Sequence, residues 1–350
     1  MCRVKEGLPV DVGIQVEGLT KSLDFQRPTL RPLFDDELRP ALDATAGFLS
    51  VNASTLEPLR QGCSAAATAA KETADRLGVA HTQRTIEGPG GSIELSIFRP
   101  ADTDARAPAM YTLHGGGMVM GDRFFFFQEA GHLQWAREFG AVVISAEYRL
   151  APEFPAPAGV EDCYAGFEWV VANSDELEID PDRLIIAGVS GGGGLAAGVS
   201  LLSRDRQGPR PLAQMLICPM LDDRLETLSA SQFRDTDGVG GACSAESAAF
   251  LWDCVLGAGH QGREVDHHVV PGRATDLSGL PPAFIDVGSA EVFRDESVAY
   301  ASRLWASGVR AELHVWGGAF HTSDIMVPTA AVSVAAHATR ADWLRRTWMG

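Results

Sequence analysis

Gly188-Val189-Ser190-Gly191-Gly192 decides the reading of the chain. Ahead of it, Arg183-Leu184-Ile185-Ile186-Ala187 is a short apolar run entered through Asp180-Pro181-Asp182, the pattern of a buried strand. Behind it, Gly193-Gly194-Leu195-Ala196-Ala197-Gly198-Val199-Ser200-Leu201-Leu202 is small and then aliphatic, which suits a helix packed tightly on a sheet. Strand, G-x-S-x-G, helix is the pattern of a nucleophile elbow. A serine at so sharp a turn is strained, and side chains two positions either side of it would strike neighbouring backbone. Consecutive glycines at a helix start cost about 1 kcal/mol each, so close approach must be needed there.

The stretches on either side alternate short apolar runs with helical ones. Residues 81–87 and 92–98 alternate with period two about Gly88-Pro89-Gly90-Gly91 and read as a hairpin. Strands are expected at 109–113, 141–146, 184–187, 212–218, 282–287 and 311–316. Helices are expected at 128–139, 160–172, after the elbow, and at 292–307 and 329–346. This rhythm predicts an α/β fold, a mostly parallel sheet covered on both faces and opened by an antiparallel hairpin. Residues 222–268 break the rhythm, with no strand and one helical stretch at 245–256. They read as an insertion. Residues 1–80, broken early by Pro28, Pro32 and Pro40 and helical at 54–77, read as a second piece of the same lid. The expected organisation is therefore a helical cap segment at 1–80, a catalytic domain at 81–221 and 269–350, and a cap insertion at 222–268.

Thr112-Leu113-His114-Gly115-Gly116-Gly117 follows the 109–113 strand. Three glycines let backbone N–H groups converge on a substrate oxygen, as an oxyanion hole requires. His114 reads as a structural hydrogen-bonder. In this kind of fold the chain order is nucleophile, acid, base. Glu291 and His321 each stand just past a strand's C-terminal end, where sites in open α/β sheets gather. Asp222 and Asp223 are the alternative acids. Asp286 falls inside a strand, and Asp295 and Glu296 suit the first turn of a helix. Phe124 to Phe127 with Met118 and Met120, beside the loop, are candidate walls of a substrate pocket, with core packing as the competing reading; Val189, next to the serine, is a further candidate, and Met118, Phe124 and Phe125 are the residues beside the loop put forward first.

The chain of 350 residues carries a net charge of −17, which argues against nucleic acid and anionic membranes. No apolar h-region opens it and no run of ~18 apolar residues occurs, so neither a signal peptide nor membrane insertion is expected. Six cysteines lack C-x-x-C spacing and read as reduced cytoplasmic thiols. Gly257-Ala258-Gly259-His260-Gln261-Gly262 matches G-x-G-x-x-G but follows a helical pattern, against a dinucleotide site. Asp266-His267-His268 is discounted as a metal site, because adjacent histidines seldom face one point and no third ligand is placed by spacing. No cofactor and no metal are expected.

His114-Gly115-Gly116-Gly117, Glu147-Tyr148-Arg149-Leu150-Ala151-Pro152-Glu153, Gly188-Val189-Ser190-Gly191-Gly192 and Asp276-Leu277-Ser278-Gly279-Leu280-Pro281-Pro282 together resemble the hormone-sensitive-lipase-like family, the family IV esterases of the α/β-hydrolase superfamily. The resemblance covers roughly residues 80–345. It implies an α/β-hydrolase fold with a helical cap and a serine carboxylesterase activity on small to medium esters. It implies Ser190 as nucleophile, His321 as base, Glu291 at the acid position, and the N–H groups of Gly115, Gly116 and Gly191 as oxyanion donors. Val189 and Gly191 depart from the family's usual G-D-S-A-G elbow, Glu291 from its usual Asp, and Thr322-Ser323 from the usual Gly-Phe after the base. The same machinery serves amides, lactones or carbamates. The family also includes gibberellin receptors, which bind without catalysis, but this chain keeps the base. Beyond a small-molecule ester, the only partner this reading admits is a second copy of the chain, as a homodimer.

Overall fold

The structure, a computed structural model, describes residues 30–45, 50–63, 66–103, 106–127, 129–234 and 242–349. The first 29 residues of the expected cap segment, with Cys2 and Pro28, lie outside the described residues, as do Gln128 and residues 235–241 of the insertion. By its contacts the chain divides into Met1–Leu30 and Arg31–Gly350; everything below concerns the second unit.

Eight strands form one sheet: β1 (Val79–Gly88), β2 (Gly91–Pro100), β3 (Ala107–Leu113), β4 (Val142–Ala146), β5 (Ile179–Val189), β6 (Ala213–Ile217), β7 (Ala283–Gly288) and β8 (Ala311–Trp316). Their order is β1-β2-β4-β3-β5-β6-β7-β8. The β1–β2 hairpin and the β2–β4 pair are antiparallel and every other pair is parallel. Strands β3, β4, β6 and β7 are buried at every position, which is why they read as continuous apolar runs rather than alternating ones.

Alternate residues of a central strand feed two cores. Leu184 and Ile186 pack with α5 (Ala158–Ala172), α6 (Gly191–Asp205) and α9 (Arg294–Ala306). Ile185, Ala187 and Val189 pack on the opposite face with α3 (Ala66–Leu77), α4 (His132–Phe139) and α11 (Ala331–Met349). Residues 54–77, expected as one helical stretch, hold two helices, α2 (Leu56–Cys63) and α3. The helix expected from 128 begins at His132, after Gly131 in a left-handed conformation. The insertion carries α7 (Leu228–Gln232) and α8 (Ala245–Leu256) and no strand among its described residues. Gly257 ends α8, so the G-x-G-x-x-G match falls on a helix terminus and the turn after it. Short helices α1 (Arg39–Thr45) and α10 (Ser323–Met326) complete the described α-helices, and single 3₁₀ turns stand at His260–Gly262 and Pro271–Arg273. Among the described residues no helix is long and apolar enough to cross a membrane.

The chain order turns back at β3: β4 lies on one side of it and β5 on the other. That reversal opens a crevice at the carboxyl ends of β3 and β5, the place where open α/β sheets hold ligands.

Two buried histidines brace this end of the sheet. His132 donates from Nδ1 to the Phe127 carbonyl (3.0 Å) and accepts at Nε2 from the Thr112 hydroxyl of β3 (3.0 Å). His114 donates from Nδ1 to the Gly115 carbonyl (2.8 Å). Burial pushes both down from 6.5 to about 4, so each is neutral in the folded protein near pH 7. Between about pH 6.5 and 4 the unfolded chain therefore binds more protons than the folded one. Stability present above pH 6.5 should be lost as pH falls to about 4, at roughly 1.4 kcal/mol per pH unit for each histidine. Urea unfolding at pH 7 and pH 5 checks this; equal stability at the two would contradict the buried neutral assignment.

Candidate active site

Ser190 sits between the last residue of β5 and the first of α6, at φ 57° and ψ −119°. Its N–H donates to the Ile217 carbonyl (2.8 Å), and its carbonyl accepts from Gly194 (3.1 Å) and Met220 (3.0 Å). These bonds hold a conformation that an L residue seldom adopts. A Cβ at Gly192 would lie 2.2 Å from the Leu113 carbonyl oxygen and 2.3 Å from that of His114. One at Gly188 would lie 2.1 Å from the Gly192 oxygen. The two flanking glycines are thus required by backbone packed against backbone. Gly191, where the family commonly has alanine, brings α6 so near the loop that an added Cβ would stand 2.8 Å from Gly117 Cα.

The loop after β3 lies directly opposite. Gly116 adopts φ +99°, and a Cβ there would lie 2.2 Å from the Met120 carbonyl oxygen. Its own carbonyl accepts from Val119 and Met120, both at 3.1 Å, which turns the chain back on itself. His114 stacks on Tyr148 with centroids 4.1 Å apart, and the Tyr148 hydroxyl donates to the His114 carbonyl (2.8 Å). The Tyr148 of the Glu147–Glu153 motif therefore braces the glycine loop from beneath, and His114 is structural as expected.

His321 is buried, 6% exposed, and hydrogen-bonded at both ring nitrogens. Nε2 is 2.9 Å from Ser190 Oγ, and Nδ1 is 2.6 Å from Glu291 Oε2. The second carboxylate oxygen of Glu291 accepts from the Gly288 N–H (2.6 Å) at the end of β7. The loops carrying the two residues are stitched together: Ser289 N–H donates to the Trp316 carbonyl (2.8 Å), Ala290 N–H to that of Ala319 (3.0 Å), and Gly318 N–H to Ser289 Oγ (2.9 Å). Phe293 meets the imidazole edge-on at 5.1 Å. Cys218, whose sulfur lies within 4.8 Å of the reactive atoms of Glu291 and His321, is buried; burial and the Glu291 charge push its thiol well up, so it stays protonated.

The rival acids are engaged elsewhere. Asp223 is buried in a two-pronged pair with Arg273 (2.6 and 2.7 Å). Asp222 pairs with Arg224. Asp295 accepts from the Ser229 N–H (2.7 Å) and Glu296 from those of Leu221 (2.6 Å) and Asp222 (3.2 Å), so both anchor the insertion as well as opening a helix. Asp286 belongs to a buried group that the sequence reading missed. Arg340 of α11 donates from Nε to Asp286 Oδ2 (2.8 Å) and from a terminal nitrogen to Asp324. Asp286 stands five residues before Glu291 and Asp324 three after His321, so one buried guanidinium ties the roots of both loops. No local pattern joins these positions, which lie 54 and 16 residues from Arg340.

A cavity of about 370 Å³ opens over Ser190 and His321. Gly116, Gly117, Met120, Phe125 and Phe126 form one wall. Leu59 and Cys63 of α2 and Leu251 of α8 face them, so both expected cap segments reach it. None of its described lining residues is Asp, Glu, Lys or Arg. Phe125 is there, as the sequence reading supposed, but Met118, Val189 and Phe124 are not. Met118 packs in the core with α5 and α6, and Phe124 in the core on the opposite face of the sheet, 4% exposed each, with Phe124 edge-on to Phe98 at 6.4 Å. Val189 is a strand residue whose side chain falls in the core opposite α6. Arg60 of α2 fastens the cap segment to this region. It donates to the carbonyls of Val119 (2.7 Å) and Ala151 (2.8 Å) and pairs with Glu153.

Residues 110–324 match the family described as having the alpha/beta hydrolase fold. The chain is 35% identical to esterase LipI of Mycobacterium tuberculosis over 238 residues, 65% of this chain and 70% of that protein. It is 34% identical to carboxylesterase NlhH of the same organism over 239 residues, 66% of this chain and 71% of that protein. Among solved structures, a bacterial heroin esterase superposes with a TM-score of 0.79 at 34% identity, covering 90% of this chain and 98% of its own. Esterase LipW of Mycobacterium marinum superposes at 0.81 and 32% identity, covering 92% and 99%. With the elbow, the glycine loop and a matched region of this extent, the chain belongs to the hormone-sensitive-lipase-like, or family IV, esterases of the α/β-hydrolase superfamily.

Proposed function

We propose that this protein is a serine carboxylesterase in which Ser190 is the nucleophile, His321 the base and Glu291 the orienting acid. The observation that carries the reading is the imidazole held at both nitrogens, 2.6 Å from Glu291 and 2.9 Å from Ser190. Ser190 Oγ attacks the ester carbonyl while His321 Nε2 takes its proton. Glu291 keeps the imidazole in the tautomer that can accept it and stabilises the imidazolium that forms. His321 returns the proton to the leaving alcohol, and water then cleaves the acyl-enzyme by the same route. The N–H groups of Gly115, Gly116 and Gly191 receive the negative oxygen, a stabilisation typically worth about 10²–10³ in rate per donor.

The described cap residues, within 31–77 and 222–268, set the size and polarity of the substrate rather than the chemistry. An apolar cavity of about 370 Å³ suits neutral esters of small to medium size. Cys63, Cys163, Cys218 and Cys254 are free thiols, which supports a reducing, cytoplasmic compartment.

Ser190→Ala should lower kcat for a p-nitrophenyl ester by about 10⁴-fold or more with the fold intact, and Glu291→Gln by about 10²–10⁴-fold. Near-wild-type turnover in either variant would refute the assignment. Gly116→Val should cost about 10²-fold or more in kcat; loss of stability with unchanged kcat would make the loop merely structural. Phe125→Ala should raise kcat/KM for long-chain relative to acetyl esters, measured across a chain-length series. An unchanged ratio would remove Phe125 from the acyl wall.

A further inference from the structure

Asp205 ends the elbow helix α6, and the insertion returns to the sheet beside it through Asp266-His267-His268. Neighbouring histidines seldom converge, and spacing along the sequence places no third ligand with them. The structure supplies both. His267 Nε2 lies 3.2 Å and His268 Nε2 2.9 Å from the same oxygen, Asp205 Oδ2. The donor atoms of all three residues fall within 4.8 Å of one another. Ligands bound to a tetrahedral ion at about 2.0–2.1 Å stand roughly 3.3–3.4 Å apart, and both Asp205–histidine separations lie within a few tenths of an ångström of that.

The atoms behind these donors are held as well. His268 Nδ1 faces Asp266 Oδ1 at 2.8 Å, and the same oxygen accepts the His268 main-chain N–H at 2.9 Å. Asp205 Oδ1 accepts from Arg204 Nε at 2.7 Å. A carboxylate behind a ligating imidazole is the usual outer partner of a metal-bound histidine. A neutral imidazole carries a single N–H, yet His268 faces carboxylates at both nitrogens. A cation at Nε2, with the N–H kept at Nδ1, completes that arrangement. Two imidazoles and one carboxylate, with a coordination position left for water, suit Zn²⁺ better than the all-oxygen ions Ca²⁺ and Mg²⁺.

We propose that Asp205, His267 and His268 form a binding site for a divalent transition-metal ion of the Zn²⁺ class, which clamps the far end of the elbow helix to the foot of the cap insertion. The two elements already meet there, since a Cβ at Gly198 of α6 would lie 2.1 Å from the His268 carbonyl oxygen. Asp205 lies fifteen positions along the helix from Ser190, roughly 22 Å at 1.5 Å per residue. The ion therefore acts on stability and on the docking of the insertion, with no part in ester cleavage.

The test uses the full-length protein, stripped with a chelator and titrated with ZnCl₂. Metal content after gel filtration, isothermal titration and thermal unfolding are read for the wild type, Asp205→Asn and His267→Ala. The wild type should retain one Zn²⁺ per chain and unfold at a higher temperature with it. Both variants should bind at least tenfold more weakly and lose the thermal shift. Their p-nitrophenyl ester turnover without metal should equal that of the wild type, which shows that they are folded. A wild type that retains no stoichiometric ion would overturn the proposal. So would equal retention by wild type and variants, which would place the metal on the cysteines or elsewhere.

Discussion

Everything at this site depends on how closely the first turn of α6 is pressed against the end of β3. At Gly192 the separation leaves no room for even a methyl group beside the Leu113 and His114 carbonyls. That contact fixes the angle at which the chain leaves β5 and forces Ser190 into its positive φ. It also brings the glycine loop to the serine, because loop and β3 are one continuous stretch. A wider gap would relax the turn, swing the hydroxyl and separate the glycine loop from Ser190 together. Glycine at 188, 191 and 192 is therefore one requirement met at three positions. The helix propensity it forfeits is recovered by burial: every residue from Gly191 to Ser203 is buried.

On the opposite side, charge does what close packing does at the elbow. Arg340, 2% exposed, holds Asp286 and Asp324. Removing one partner of such a buried group leaves an uncompensated charge, usually at a cost of about 3–5 kcal/mol. The acid loop and the base loop have no strand pairing of their own, and their relative position is set by this guanidinium together with two main-chain bonds and the Gly318 N–H on the Ser289 hydroxyl. The imidazole between Glu291 and Ser190 is oriented by elements outside its own loop.

The parts that were legible in the sequence are those whose place a local pattern fixes. The elbow glycines, the loop after β3, and Glu291 and His321 beyond strand ends could all be read from neighbours along the chain. The mostly parallel sheet followed from unbroken apolar runs alternating with helical ones. What stayed hidden involves direction or distance. Met118 and Phe124 are as apolar as Phe125, and only the folded path of the loop decides which of them faces the cavity. Asp295 and Glu296 read as ordinary first-turn acids, although each also receives an N–H from the insertion. Arg340 and Arg60 find partners 16 to 93 positions away. His267 and His268 lacked a visible third partner because Asp205 belongs to a different element.

The span of chain between Ser190 and His321, 131 positions, has a consequence for biosynthesis. Chains are made from the N-terminus, and domains complete themselves as the needed segments emerge. The glycine loop, the elbow and both cap segments are all synthesised before β7 and β8, whose following loops carry Glu291 and His321. Arg340, which ties those loops down, comes later still. With the roles proposed for Ser190, Glu291 and His321, a growing chain carries a serine with the reactivity of an ordinary alcohol until its last helix docks. Hydrolytic competence then arrives only with the finished fold, and an incomplete chain is chemically harmless to the esters around it.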